Sequence, residues 1–437
     1  MKDVAVSDLK KKDQDKASET IQGKDKRAPG KPVDFDGKAS TNGVSSRLPG
    51  FYELPISERL NIIQSFAGLT KAETDSLAAS SALGGDLVDV FIENGIGTFE
   101  LPLGIATNFR INGKEYLIPM AVEETSVIAA ASHGAKLARA GGGFTGIASP
   151  PIMTGQVQLL LREKVDFDQI LIARKAELID YANKGHDRLL ERGGGAIDMT
   201  WRLIPEINSL VIHLHINTCD AMGANIVNTM CEKISVVLAE LFECDVGLRI
   251  LTNLTDRRMV KVSCSIPSAA FDSPTFDGNE VVRRIVGAYD FAFYDIYRAA
   301  TNNKGVMNGI DPVLIATGND WRAVESGAHA WAAHKGVYRP LAVWTHDSDF
   351  NLHGTLEIPM AVGVVGGVTK LHPSAKANLK ILGSPDASEF ALIVTAVGLA
   401  QNLSALRALA SEGIQRGHMS LHKRNLDLLT RQGATKK

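Results

Sequence analysis

Four cysteines in 437 residues (Cys219, Cys231, Cys244 and Cys264) are too few and too irregularly spaced for a disulfide framework, and the absence of a CxxC pair argues against a zinc site. Reduced thiols in a cytoplasmic setting are the expectation. Charge of one sign is lacking as well. The formal net charge is −2, so no general field would draw in nucleic acid or an anionic membrane. Uninterrupted apolar runs of membrane-spanning length are also missing. The charge-free stretch 390–406 contains Thr395, Gln401, Asn402 and Ser404, whereas a spanning helix wants about 20 mainly apolar residues. A buried core helix is expected there. The N-terminus has no apolar signal core and too many acids for an organelle transit peptide.

What is present is ordinary globular material, 45% hydrophobic and 22% charged, long enough for two or three domains. Residues 1–46 are rich in Lys, Asp, Ser and Gly with Phe35 as the one aromatic, which predicts a disordered tail. Order is expected from Arg47. Ser57 reads as the N-cap of an amphipathic helix, and Ser126–Ala140 as an Ala-rich helix stopped by three glycines. From about 151 the texture changes: strands are expected at 156–161, 210–216 and 247–251, with a charged helix over 172–191. This outlines a small α/β unit at 151–253 inserted between 47–150 and 254–412, with helical texture and glycine-containing loops resuming after 254.

Generic motifs say little. Gly141-x-Gly143-x-x-Gly146 matches the dinucleotide fingerprint by pattern, but an Ala-rich helix precedes it and Pro150-Pro151 follows, which excludes a Rossmann turn. His213 and His215 alternate along a strand, either as metal ligands or as a satisfied pair. His329 and His334 fit a packed helix. No GxSxG elbow and no GxxxxGK[ST] phosphate loop occurs.

Four longer segments carry chemistry. Val122-Glu123-Glu124-Thr125-Ser126 places two carboxylates where a strand gives way to a helix, facing a cleft or simply at a favourable helix start. Asp220-Ala221-Met222-Gly223-Ala224-Asn225 puts small residues before a helix N-terminus, suited to a pyrophosphate or to a tight turn. Residues 297–312 and 316–322 bring one Arg, one Lys, amides and acids onto glycine-punctuated loops, natural for an anionic substrate. Gly413-Ile414-Gln415-Arg416-Gly417-His418-Met419 is a glycine-hinged histidine.

With the blocks ENGIGTFELP (93–102), GTLEIPMAVGVVGG (354–367) and VGLAQNLSALRAL (397–409), these segments in this order resemble hydroxymethylglutaryl-CoA reductase of class II, the soluble, mostly bacterial form. The resemblance runs from Arg47 to about Arg424. It implies an α+β fold. A large mixed helical and sheet domain carries an inserted ferredoxin-like cofactor domain, which is not a Rossmann fold, and a C-terminal flap at 413–437.

It also implies an NAD(P)H-dependent reductase that interconverts 3-hydroxy-3-methylglutaryl-CoA with mevalonate and CoA by two hydride transfers. In that reading Lys304 stabilises the oxyanion, Asp320 lies beside it, Glu124 donates a proton and His418 protonates the CoA sulfur. Arg298, Asn308 and Ser126 would hold the acyl portion. Asp220, Met222, Asn225, Asn253 and Asp187 would hold NADH or NADPH, an acid at Asp187 favouring the free ribose hydroxyl of NADH. No metal is expected, and the site is expected between the subunits of a homodimer. Two departures stand out. Thr125 replaces the family's proline, and only 19 residues follow His418, which predicts a weakened flap or, as the alternative, a catalytically impaired CoA or nucleotide binder.

Overall fold

The computed structural model describes residues 45–79, 83, 85–162 and 166–411. The expectations for the tail and the flap, including His418, lie outside the described residues. Ser46 is already fully buried: its hydroxyl donates to Glu115 Oε2 at 2.5 Å and to the Phe109 carbonyl at 3.0 Å, so packing begins just ahead of Arg47.

The first part of the body runs α1 (Ile56–Ala67), α2 (Lys71–Ala78), α3 (Gly85–Phe91), β1 (Leu103–Ile111), β2 (Lys114–Ala121), α4 (Val127–Arg139) and β3 (Phe144–Ala148). α1 starts ahead of Ser57, with Pro55 at the N-cap, because proline's fixed φ already suits a helix entry. β1 and β2 form a hairpin across Asn112-Gly113, both at positive φ (48° and 82°), as a two-residue turn between twisted strands requires.

The chain then builds a second sheet from β4 (Ile152–Leu160), α5 (Phe167–Asn183), α6 (Asp187–Leu190), β5 (Gly195–Ile204), β6 (Ser209–Asn217), α7 (Ala224–Phe242) and β7 (Asp245–Leu251). Its strand order is β5-β6-β4-β7 with every neighbour antiparallel. β4 and β5 run the same way with β6 between them, the split β-α-β arrangement. One face packs Met153, Val157, Ile212 and Leu214 against Leu171, Leu178, Ile234 and Leu238 of α5 and α7.

β8 (Met259–Ile266), α8 (Gly278–Tyr294), α9 (Ile296–Ala316), α10 (Trp321–Ala333), β9 (Ala342–His346), β10 (Leu352–Pro359), α11 (Gly367–Leu371), α12 (Pro373–Ile381) and α13 (Ala387–Ala410) complete the body. The large sheet has the order β2-β1-β3-β8-β10-β9, with only the β1–β3 pair parallel. β3 and β8 are neighbours, so the chain between them leaves and returns at adjacent strands. α13 lies against α4, α9 and this sheet. It has the length and apolarity to cross a membrane, yet most of it is buried inside the protein, as expected for 390–406.

Several expectations need correction. The segment 297–312 is not loop but the continuous helix α9: Asp295 caps it by accepting from Arg298 N at 2.7 Å, and burial against α13 outweighs the weak propensity of its glycines and asparagines. The charged helix ends at Asn183 rather than Glu191, and Gly195–Ile204 after it is a strand. The block 354–367, expected from the resemblance to be a loop throughout, is strand β10 as far as Pro359, leaving only 360–366 as loop. The rejected dinucleotide pattern needs no correction: Gly141–Gly146 leads from helix α4 into strand β3, the reverse of a dinucleotide turn.

Candidate active site

β2 delivers Glu123 and Glu124 to the edge of the large sheet. Ser126 follows at φ 76° and begins α4 without a side-chain cap bond. A left-handed serine is strained, and such strain collects at ligand-binding positions. α9 packs across β2 and brings Lys304 to Glu124, from 180 positions away, with Nζ to Oε2 at 3.3 Å and the two side chains 62% and 42% exposed. Asn308 is one turn beyond Lys304 and on the same helix face. Pro312 lacks the N–H that would otherwise bond the Asn308 carbonyl.

Arg298, in the first turn of α9, is half-buried. Burial lowers its pKa, and its guanidinium has no partner among the described residues, the state of a cation that awaits an anion. Asp320 caps α10, accepting from Ala323 N at 3.1 Å with Arg322 Nε at 3.6 Å. Among the described residues Lys304 forms its ion pair with Glu124, and none is formed between Lys304 and Asp320, which caps its own helix.

The turn 218–223 joins β6 to α7. Thr218 Oγ1 donates to the Ala221 carbonyl at 2.8 Å, Cys219 takes φ 52°, and Gly223 is an N-cap with no side-chain bond. The first N–H groups of α7 are thus free for phosphate oxygens, and the residues present fit a dinucleotide. Asp220 is exposed, and its Oδ1 accepts from Ala387 N at 3.0 Å, the start of α13. Met222 packs against the second core, while Asn225 is exposed. Asn253 is exposed, and its carbonyl lies 2.5 Å from where a Cβ on Gly327 of α10 would be. Asp187 opens α6, exposed and apart from the Glu124–Lys304 pair in sequence and sheet; the end of α6 meets this turn through Cys219 Sγ donating to the Arg192 carbonyl at 3.5 Å.

The four histidines singled out in the sequence are each met by protein groups. His215 is held at both ring nitrogens by Thr154 and Thr200, His213 by Gln156, His329 by Tyr338, and His334 stacks on Trp331. Among the described residues no group of His, Cys, Asp and Glu is arranged for a metal.

The sequence profile of hydroxymethylglutaryl-coenzyme A reductase matches residues 55–423. This chain belongs to that family. The reductase of the archaeon Archaeoglobus fulgidus is 51% identical over 397 residues, covering 90% of this chain and 88% of its own. A probable reductase of Borreliella burgdorferi is 34% identical, covering 77% of each. A solved class II reductase of Streptococcus pneumoniae, bound to NADPH in open conformations, superposes with a TM-score of 0.79 at 40% identity, covering 83% of this chain and 99% of its own. The α+β, non-Rossmann fold expected from the resemblance is the one this reductase family has, and an impaired homologue is not favoured by matches of this extent.

Missed by sequence reasoning were Arg258, buried beneath the 218–223 turn, and the Asp311–Glu325 pair between α9 and α10. A basic pair in Asp256-Arg257-Arg258 and an acid inside a substrate block were the available signals.

Proposed function

We propose that this chain interconverts hydroxymethylglutaryl-CoA and mevalonate plus CoA, with the Glu124–Lys304 pair at the reacting carbonyl. The observation that carries it is that pair, 3.3 Å apart and open to solvent at the strand-to-helix junction, in a chain of this family. When bound, the reduced nicotinamide supplies two hydrides in succession. The Lys304 ammonium faces the carbonyl oxygen and stabilises negative charge as it develops there. Glu124, in contact with Lys304, is placed to give a proton to the same oxygen. Arg298 takes the free carboxylate of the acyl group as a charge-assisted partner, with Asn308 and Ser126 orienting its hydroxyl. Asp320 acts from the start of α10, and His418 protonates the departing thiolate.

Residues 151–253 hold the dinucleotide through Asp220, Met222, Asn225, Asn253 and Asp187. Residues 47–150 and 254–412 hold the acyl-CoA, and 413–437 form the flap. Asp187 supports NADH, whose ribose hydroxyl it can accept from; a tenfold or greater preference for NADPH in kcat/KM, about 1.4 kcal/mol, would overturn that part.

A second copy completes the site. Ile96 and Phe99 of the ENGIGTFELP segment are exposed in full or nearly so, at 104% and 92%, and exposed aromatic and aliphatic side chains in one stretch mark an interaction surface. Two concavities among the described residues, about 160 and 240 Å³, hold none of the expected site residues and are smaller than ordinary ligand pockets. The four free cysteines agree with a cytoplasmic setting.

Purified chain mixed with hydroxymethylglutaryl-CoA and NADH or NADPH should consume the reduced nicotinamide. Lys304→Ala should lower kcat by about 10²–10³-fold, the cost of losing one oxyanion donor. Equal turnover by the variant would end the reading.

A further inference from the structure

Two buried asparagines stand directly before Lys304 in α9. Asn302 is 2% exposed and Asn303 0%. The segment that leads into β9 holds Asn303 at both ends of its amide: Nδ2 donates to the Arg339 carbonyl at 2.9 Å, and Oδ1 accepts from Leu341 N at 2.8 Å. Asn302 is held by a different route. Asn402 of α13 donates through Nδ2 to the Asn302 carbonyl at 3.2 Å and to its Oδ1 at 3.1 Å. The Oδ1 of Asn402 in turn accepts from Trp344 Nε1 of β9 at 2.8 Å. Both routes end on residues 339–344. Beyond Lys304, Gly309 meets α13 backbone to backbone: a Cβ there would lie 2.7 Å from the Val397 carbonyl oxygen, an approach that only glycine permits.

Lys304 itself has little to hold it in place. Its ion pair with Glu124 is 3.3 Å long between side chains that are 62% and 42% exposed, and a pair so open to solvent fixes geometry weakly. The helix around it is soft as well, since Gly305, Gly309 and Pro312 all follow Lys304 within α9. Buried amide bonds are the stronger constraint, because a buried donor or acceptor that loses its partner bears the full cost of its desolvation. Stability alone does not account for Asn302. Its Nδ2 is buried and meets no acceptor among the described residues, a cost that an apolar side chain of similar size would avoid.

We infer that Asn302 and Asn303 are positioning residues for the Lys304 ammonium: they key α9 to β9 and α13, and so set the height and rotation at which Lys304 faces Glu124 and the reacting carbonyl. Both are buried behind Lys304 and act through it rather than on the reacting atoms. A displacement of about 1 Å at a group that meets developing charge can cost about 10²-fold in rate, so a soft helix carrying such a group needs this keying. The inference rests on the reading of Lys304 as the cation at the carbonyl oxygen.

Asn302→Ala and Asn303→Ala in the full chain test it, each made alone and together with Lys304→Ala, and each checked for folding by circular dichroism. Alone, each should lower kcat about 10–100-fold, while the KM for the dinucleotide stays within about threefold. In the Lys304→Ala background the same substitutions should change kcat by less than about twofold, because the group they position is gone. A merely structural role would lower the amount of active enzyme by the same factor in both backgrounds. Equal losses with and without Lys304 would therefore overturn the inference, as would an unchanged kcat in both single variants. If Lys304→Ala alone turns over as fast as the parent, the reading of Lys304 falls and takes the inference with it, an outcome distinct from the other two. Should an alanine variant fail the folding check, Asn302→Ser or Asn303→Ser, which keeps a hydroxyl for a buried partner, decides by the same comparison.

Discussion

Asp311 on α9 and Glu325 on α10 form a carboxyl pair in the half-buried seam between the helix that carries Lys304 and the helix that Asp320 begins. Burial first, and then hydrogen bonding and repulsion from Glu325, push the Asp311 carboxyl up to about 8, and its Oδ1 is buried with no partner. The folded state therefore holds a proton that the unfolded chain releases near pH 4. Stability from this source is fully present below that value and is lost as pH rises towards 8. Asp311→Asn puts a permanent N–H donor beside Glu325 and removes the titration.

The full shift would correspond to nearly 6 kcal/mol at 1.36 kcal/mol per unit. Solvent reaching the seam and sharing of the proton by two groups leave about half, roughly 3 kcal/mol, as the gain of the variant over the parent at pH 9. The assay is the thermal midpoint of both proteins from pH 5 to pH 9. The parent should fall relative to the variant across that range, with the two converging at the acid end. Curves that stay parallel would refute the shared proton, because the difference between the proteins isolates this pair from every other titrating group.

Two further outcomes follow from buried polar contacts. Glu115 is half-buried, which by itself would raise its pKa, but Arg139 at 2.7 Å and two bonds from Ser46 more than offset that and hold the carboxyl below its ordinary range. Glu115→Gln should destabilise by about 1.5–3 kcal/mol by removing the charge from its hydrogen bonds to Arg139, and the parent's advantage should shrink as pH falls below about 4, where the unfolded carboxyl protonates; urea unfolding at pH 7 and pH 3 checks both. Trp344 is fully buried, and its Nε1 donates to Asn402 Oδ1 at 2.8 Å on α13. Trp344→Phe should cost about 2–4 kcal/mol from the cavity and the orphaned amide, read as a lower thermal midpoint; an unchanged midpoint would mean that α13 repacks freely.

The elements readable in the sequence were those whose pattern is local. The 390–406 stretch is apolar around most of its circumference and became the buried helix α13. The alternation around His213 and His215 became β6. β5 escaped because a bulge between Ala196 and Asp198 breaks its two-residue period. α9 escaped because Gly305, Gly309 and Pro312 are helix breakers in isolation, and only packing against α13 makes them helical. Glu124, Lys304 and Asp220 were legible as members of ordered blocks, whereas Arg258 and Asp311 were not, since nothing local distinguishes a buried charge from a solvated one.

By itself, then, the sequence determined the family, pointed to candidate site side chains and marked the local elements that repeat or cap visibly, because those properties depend on neighbours a few positions apart. Tertiary structure alone decided that Glu124 takes Lys304 as its partner while Asp320 stays with its own helix. It alone brought Arg258, Val362 and Ala221 into one cluster and raised the pKa of Asp311. Each of these is a through-space effect between segments far apart in the chain, where distance and desolvation, rather than residue type, set the energy.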